Sequence, residues 1–169
     1  MDVVKIKQLQ LILGVTADGL WGAKSQAVLD ALVHGNSDGI HKVKASSFAD
    51  PADVEAFRKC KERGGSDQDC FKTGDNGIGY WDDITSEGSG PSCAIPPDDM
   101  ISKWGSINGA KHKPVEVNAN DKTVICICKD RMPQKKNITN GAGIDLNPDA
   151  CRELGLEPPI MVSATWKWA

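Results

Sequence analysis

The stretch DRMPQKKNITNGAGIDLNPDACRELG, residues 130–155, places Asp130 beside Arg131 directly after an apolar strand candidate, and Asp145 directly before a short helix. A folded domain has little structural need for two carboxylates at the mouths of adjacent strands. The chemistry that uses such a pair is glycosidic cleavage. One carboxylic acid, its pKa raised by burial, protonates the leaving oxygen, and a second group activates water or stabilises the oxocarbenium-like transition state. Inverting hydrolysis places the two carboxyls about 6.5–9.5 Å apart with water between them. Plainer readings stand beside this one: Asp130 as an ion-pair partner of Arg131 or Lys129, and Asp145 as an acceptor of backbone hydrogen bonds.

The elements around the pair read as short strands and helices. In TVICIC, residues 123–128, every position is apolar or small, which predicts a strand buried on both faces. Val115 to Val117 is another strand candidate, and in IMVSATWKW Val162, Ala164 and Trp166 alternate with Ser163, Thr165 and Lys167. Between these strands Asn147 is placed to cap a helix with Pro148 at its first position and Gly155 after its end. Upstream, Ala45 to Ala49 reads as a strand and Pro51 as the first turn of a helix, with Asp50 at its N-cap and Asp53 and Glu55 near its positive end. Gly64-Gly65 ends that helix, and Cys60 and Cys70 flank the turn closely enough to staple it. TGDNGIGYW is glycine-rich but lacks a phosphate-loop lysine and a dinucleotide spacing. It reads as backbone approaching a groove, with Tyr80 and Trp81 as stacking surfaces. Only two helical stretches are expected after Ala45, and His112, in the GAKHKP turn, reads as a surface histidine.

At 169 residues, 40% apolar and 25% charged, the chain fits one ordinary domain plus a small appendage, with no apolar run long enough to cross a bilayer. A net charge of -3 argues against duplex DNA as a partner, because phosphate contacts need a basic face. The start, MDVVKIKQLQLILG, lacks a basic head followed by a long apolar block, so no secretory signal is expected. Six cysteines, Cys60, Cys70, Cys93, Cys126, Cys128 and Cys151, allow up to three disulfides or a set of buried thiols. Cys126 and Cys128 sit two apart on one strand face and are not expected to bond each other, and their spacing is not that of a zinc knuckle. No metal or cofactor is expected.

Residues 4–33 read as two short helices, with Val4, Ile6, Leu9, Ile12 and Leu13 on one stripe and Ala27, Val28, Ala31 and Leu32 on another. Leu9, Gln10, Leu13, Gly14, Asp18, Gly19, Trp21, Gly22, Ala27 and Leu29 resemble the helix-loop-helix motif of the peptidoglycan-binding domains of bacterial and phage cell-wall lysins. Asp18 and Gly19 make the tight turn and Trp21 anchors the loop. The resemblance makes Asp18 and Trp21 wall-binding candidates, and it ends near Val33, before the third helix usual in that family. The expected organisation is a helical motif over 1–34, a polar linker over 35–44 and a catalytic domain over 45–169.

The order strand, DR.P, turn, IDLN..AC..LG and final strand resembles the double-psi β-barrel of the rare-lipoprotein-A family, related in fold to expansins, family 45 endoglucanases and a class of membrane-bound lytic transglycosylases. The resemblance implies an α+β chain: a small helical motif, then a six-stranded double-psi barrel with helical insertions. Its catalytic positions fall on Asp130 and Asp145, and Asp50 occupies a place like that of a further endoglucanase aspartate. Asp130 is the first candidate for general acid/base, with Asp145 as partner or orienter. Met132 stands where the family has Gly, and no histidine precedes an LP.GT turn; Asp98 or Asp99 is the candidate in that region. Tyr80, Trp81, Trp104, Arg131 and Asp99 are candidate substrate contacts.

Together these features imply an endolysin-like, monomeric enzyme that cuts peptidoglycan glycan strands, as a lytic transglycosylase in which the acid, once ionised, deprotonates the muramic acid 6-hydroxyl. It would reach the wall from the host cytoplasm through a holin. The alternatives are a non-catalytic, expansin-like wall-loosening module and an inverting β-glycan hydrolase. No spacing for a peptidase stands out.

Overall fold

The computed structural model describes residues 2–12, 15–22, 25–26 and 39–169. They belong to two compact units, Met1–Ile40 and His41–Ala169.

In the first unit, helix α1 spans Val3–Ile12. Its buried side chain is Gln10, 1% exposed, rather than one of the apolar stripe. The Gln10 amide donates to Asp18 Oδ1 (2.8 Å), the Leu20 carbonyl (2.9 Å) and Ser25 Oγ (3.1 Å), and its oxygen accepts from Gly19 N (2.9 Å). The loop therefore closes around one glutamine, and Gly19, at φ 81°, takes the left-handed turn that its lack of a Cβ permits. Leu13, Gly14 and the second stripe, Ala27, Val28, Ala31 and Leu32, lie outside the described residues, as does Leu29.

The second unit is a closed barrel of β1 (His41–Ser47), β2 (Ser92–Ile95), β3 (Pro114–Ala119), β4 (Lys122–Arg131), β5 (Ala142–Leu146) and β6 (Met161–Trp168), in the order β1-β5-β2-β4-β3-β6. β1·β5 and β2·β4 run parallel; the other neighbours are antiparallel. The α+β class with a six-stranded barrel is as expected from the sequence. Helices α2 (Pro51–Glu62), α3 (Asp67–Cys70), α4 (Pro97–Trp104) and α5 (Pro148–Glu153) fill the connections. The core holds Val115, Val117, Ile144, Leu146, Leu154 and Trp166, with Cys93, Cys126, Cys128 and Cys151 between them. Burial of each large side chain contributes roughly 1.5–3 kcal/mol.

The local chemistry explains the elements. Asn147 accepts from Ala150 N (3.0 Å) as a helix cap and from Ser92 N (2.9 Å), so one amide starts α5 and ties it to β2. Cys60 and Cys70 are disulfide-bonded across the Gly64-Gly65 turn. Strand β1 starts at His41, inside the stretch read as linker. TVICIC is not buried on both faces: Ile125 is 50% exposed, because β4 alternates as one wall of a barrel whose outer side is not covered there. There are also more helices after Ala45 than the two expected. α4 opens on Pro97 after the N-cap Pro96, with Asp98 and Asp99 in its first turn and Gly105, φ 76°, at its end.

Candidate functional site

One transverse row of residues crosses four strands on the outer wall of the barrel. Ser46 on β1 pairs with Asp145 on β5, Asp145 with Ala94 on β2, and Ala94 with Asp130 on β4. Paired residues point to the same face, so the two carboxylates flank the Ala94 methyl. With strands about 4.8 Å apart, their Cα atoms are roughly 10 Å from each other.

Two bulges aim them. Cys93 pairs with Cys128 and Ala94 with Asp130, which leaves Lys129 as an extra residue on β4. Without that residue Asp130 would follow Cys126 and Cys128 into the core. The second irregularity pairs Lys44 with Ala142 and Ala45 with Ile144, leaving Gly143 extra on β5. A Cβ at Gly143 would lie 2.4 Å from Val43 Cγ1, so glycine is what lets β5 approach β1 here.

The carboxylates differ in environment. Asp130 Oδ1 accepts from the backbone N–H groups of Tyr80 (2.8 Å) and Arg131 (2.7 Å). Burial raises its pKa, and these two donors pull it back towards the ionised form. Among the described residues, the donor to Asp145 is the Ser46 hydroxyl. Burial, with the charges of Asp130 and Asp50 added, pushes it up to about 6 against the Ser46 bond. Asp50, 7% exposed, accepts from Ser47 Oγ (2.8 Å), while its Oδ1 is buried with no hydrogen-bond partner among the described residues. It stands at the N-cap position of α2 but makes no side-chain cap bond, and burial raises its pKa too. The preceding Ala49 is fully buried at φ 53°, a conformation that L residues with a Cβ rarely adopt.

The loop before β2 completes the cluster. Gly79 packs so closely on β4 that a Cβ would lie 2.4 Å from the Lys129 carbonyl, and this approach lays the Tyr80 N–H on Asp130. The Tyr80 ring is 48% exposed, with the Arg131 guanidinium 4.5 Å from its centroid. Asp75, its pKa raised by burial, adds negative charge near Asp130 and Asp50.

The other candidates from the sequence go elsewhere. Trp81 packs against the core and donates to Asn108 Oδ1 (3.0 Å), and Trp104 packs edge-on against Trp168. Asp99 pairs with Lys135 (2.6 Å) and lies 3.8 Å from His41 Nδ1, and Asp98 accepts from Lys135 N (2.9 Å), so both hold the turn after β4. His112 is half exposed and pairs with Asp83 (2.7 Å). In the first unit Asp18 is engaged by Gln10 and by Leu20 N (2.8 Å), and the Trp21 indole donates to Gln26 (2.7 Å). Among the described residues, no group of three or more His, Cys, Asp or Glu is arranged to hold a metal ion, and no helix is long and apolar enough to cross a membrane.

Sequence reasoning missed Ser46, Asp75 and Ala94. Ser46 and Ala94 are signalled only by register across strands distant in sequence. An open pocket of about 740 Å³ lies on the opposite wall, where Lys42, Thr165, Asn118 and Thr123 form another paired row; it contains none of these carboxylates.

No protein-family model matches the chain, and no curated protein matches it. Among solved structures it is similar to the Streptomyces papain inhibitor (SPI), at 18% identity over 78% of this chain and 96% of that one, with a TM-score of 0.45.

Proposed function

We propose that the chain cleaves the glycan strands of peptidoglycan by acid/base chemistry, with Asp145 as general acid and Asp130 as its ionised partner. The observation that carries this reading is the outer row, in which two carboxylates on opposite sides of Ala94 have unlike surroundings. Burial raises both pKa values, but Asp130 alone is held by backbone N–H donors that favour its ionised form, and unlike surroundings of this kind suit divided acid and base roles. Asp145, near 6, holds a proton to give to the leaving oxygen, and Asp130, held by two N–H donors, faces the developing positive charge. The exposed Tyr80 ring beside Asp130 offers a sugar-stacking surface.

Once ionised, Asp145 can take the proton of the muramic acid 6-hydroxyl as that oxygen attacks the anomeric carbon, which yields a 1,6-anhydro end. A hydrolase reading has its own support: Cα atoms roughly 10 Å apart suit carboxyls with a water between them. The choice of peptidoglycan rests on the resemblance of Leu9 to Leu32 to wall-binding motifs, and we place the site of action at the cell wall.

The test is mass spectrometry of fragments released from isolated sacculi by the wild type and by Asp145→Asn and Asp130→Asn. Anhydro-muramic ends lost in both variants support the transglycosylase, and reducing ends support the two-carboxylate hydrolase. Wall binding without released fragments would leave a non-catalytic module and end the enzyme reading.

A further inference from the structure

Four thiols, those of Cys93, Cys126, Cys128 and Cys151, lie fully buried in the barrel core, and the proposed reaction uses none of them. Their arrangement limits which can join. Cys93 and Cys128 are register partners on the parallel pair β2·β4, and neighbouring strands bring Cα atoms about 4.8 Å apart, inside the 4.4–6.8 Å window of disulfides. Cys93 lies near Cys126 and Cys128 in the same core cluster, and Cys151, on the helix α5 that packs against β4, lies near Cys126. Cys126 and Cys128 project from one strand two residues apart and cannot bridge each other without backbone movement. Only one division of these neighbours into pairs leaves no cysteine over.

We infer that the chain closes two further disulfides, Cys93–Cys128 and Cys126–Cys151, when it folds in an oxidising space. The Cys60–Cys70 bridge is a reason to expect such a space, since disulfides persist where thiols are not kept reduced. The oxidant is a small-molecule or protein disulfide such as oxidised glutathione. One cysteine thiolate attacks it and releases a reduced thiol. The second cysteine attacks the mixed disulfide and releases another, so each protein bridge formed converts one oxidant disulfide into two thiols. Burial pushes the Cys93 thiol well above its ordinary pKa and Cys151 up to about 12, so in the closed barrel neither supplies thiolate. Bridging therefore belongs to the folding chain, and a barrel that has closed in a reducing cytoplasm stays a thiol form. The two bridges tie β2 to β4 behind Asp130 and tie β4 to α5.

The experiment starts from the fully reduced, denatured chain, refolded in a glutathione redox buffer. The fraction that elutes as folded protein is quenched with iodoacetamide in guanidinium, weighed, and digested for cross-linked peptides. The expected result is no alkylated cysteine, with Cys93 linked to Cys128 and Cys126 to Cys151. Four alkylated cysteines beside an intact Cys60–Cys70 bridge would overturn the inference, as would Cys93–Cys126 with Cys128–Cys151. The single variant Cys151→Ser checks the partition: it is expected to leave one alkylated cysteine, Cys126, and linkage of Cys93 to Cys126 in that variant counts against the pairing.

Discussion

Replacing Asp145 by asparagine should remove activity and yet stabilise the barrel, in a pH window fixed by the acid's displaced pKa. Burial and the neighbouring charges of Asp130 and Asp50 lift Asp145 from an ordinary 3.8 to about 6. The folded state therefore favours the protonated form. Below pH 3.8 the group is neutral in both states and makes no difference. As pH rises towards 6 the unfolded chain releases this proton first, so the wild type progressively loses stability, and above 6 the full penalty applies. At about 1.36 kcal/mol per pH unit the gap corresponds to about 3 kcal/mol. Asparagine keeps the shape and can still accept from the Ser46 hydroxyl, but it carries no charge to bury. Urea unfolding followed by tryptophan fluorescence reads the barrel directly, because Trp81, Trp104, Trp166 and Trp168 all lie in it. At pH 8 the variant is expected to be more stable than wild type by about 1–3 kcal/mol, and at pH 3.5 the difference should vanish. A variant equally destabilised at both pH values would refute the reasoning, since it would mean that Asp145 is held as a structural carboxylate.

In the proposed reaction the same acid would set the pH profile of cleavage: kcat/KM should fall about tenfold per pH unit above about 6, because the protonated form would be the catalyst. In Ser46→Ala the hydrogen bond that lowers Asp145 is gone, so this alkaline limb should move to higher pH, a shift that mere loosening of the strand does not produce. Gly79→Ala sets a Cβ against the Lys129 carbonyl and should lift the Tyr80 N–H off Asp130, lowering kcat at least several-fold and, because backbone must give way, lowering the thermal midpoint as well. Leu146→Ala, fully buried beside the row, should cost about 2–5 kcal/mol in denaturant unfolding through the cavity it leaves.

The readable parts of the chain were those whose signals are local. Asn147, Pro148 and Gly155 announce α5, Asp50-Pro51 and Gly64 bound α2, and the two cysteines around Gly64-Gly65 announce their own bridge. Residues 162–167 alternate in the sequence and in the barrel. Helix α4 was missed although Pro97, Asp98 and Gly105 are start and stop signals, because the preceding proline pair reads as extended chain. What decides the site is not local. Period-two counting from Cys126 and Cys128 turns Asp130 inward, and only the bulge at Lys129, which exists through pairing with β2, turns it out. Composition likewise cannot separate an aromatic platform from a core residue: Tyr80 is exposed beside a carboxylate, whereas Trp104 is packed on Trp168.

Where the barrel departs from what is locally favourable, the departures gather around one row. Asp145 is buried against its own charge, Asp50 carries an orphaned oxygen, Ala49 holds a left-handed backbone with a Cβ, and both register irregularities sit within two residues of Asp130 or Asp145. Each feature costs on the order of 1–3 kcal/mol, in a domain whose net stability is of order 5–15 kcal/mol. The opposite wall, across β1, β6, β3 and β4, is an unbroken ladder with Lys42, Thr165, Asn118 and Thr123 in plain register. Strain without purpose is removed by substitution as easily here as there: glycine at 49 relieves the backbone, and asparagine at 145 removes the buried charge. Its concentration at the two carboxylates, and the regularity of the far wall, are what the proposed acid/base role of this row would require, and they mark it as the place to test that proposal first.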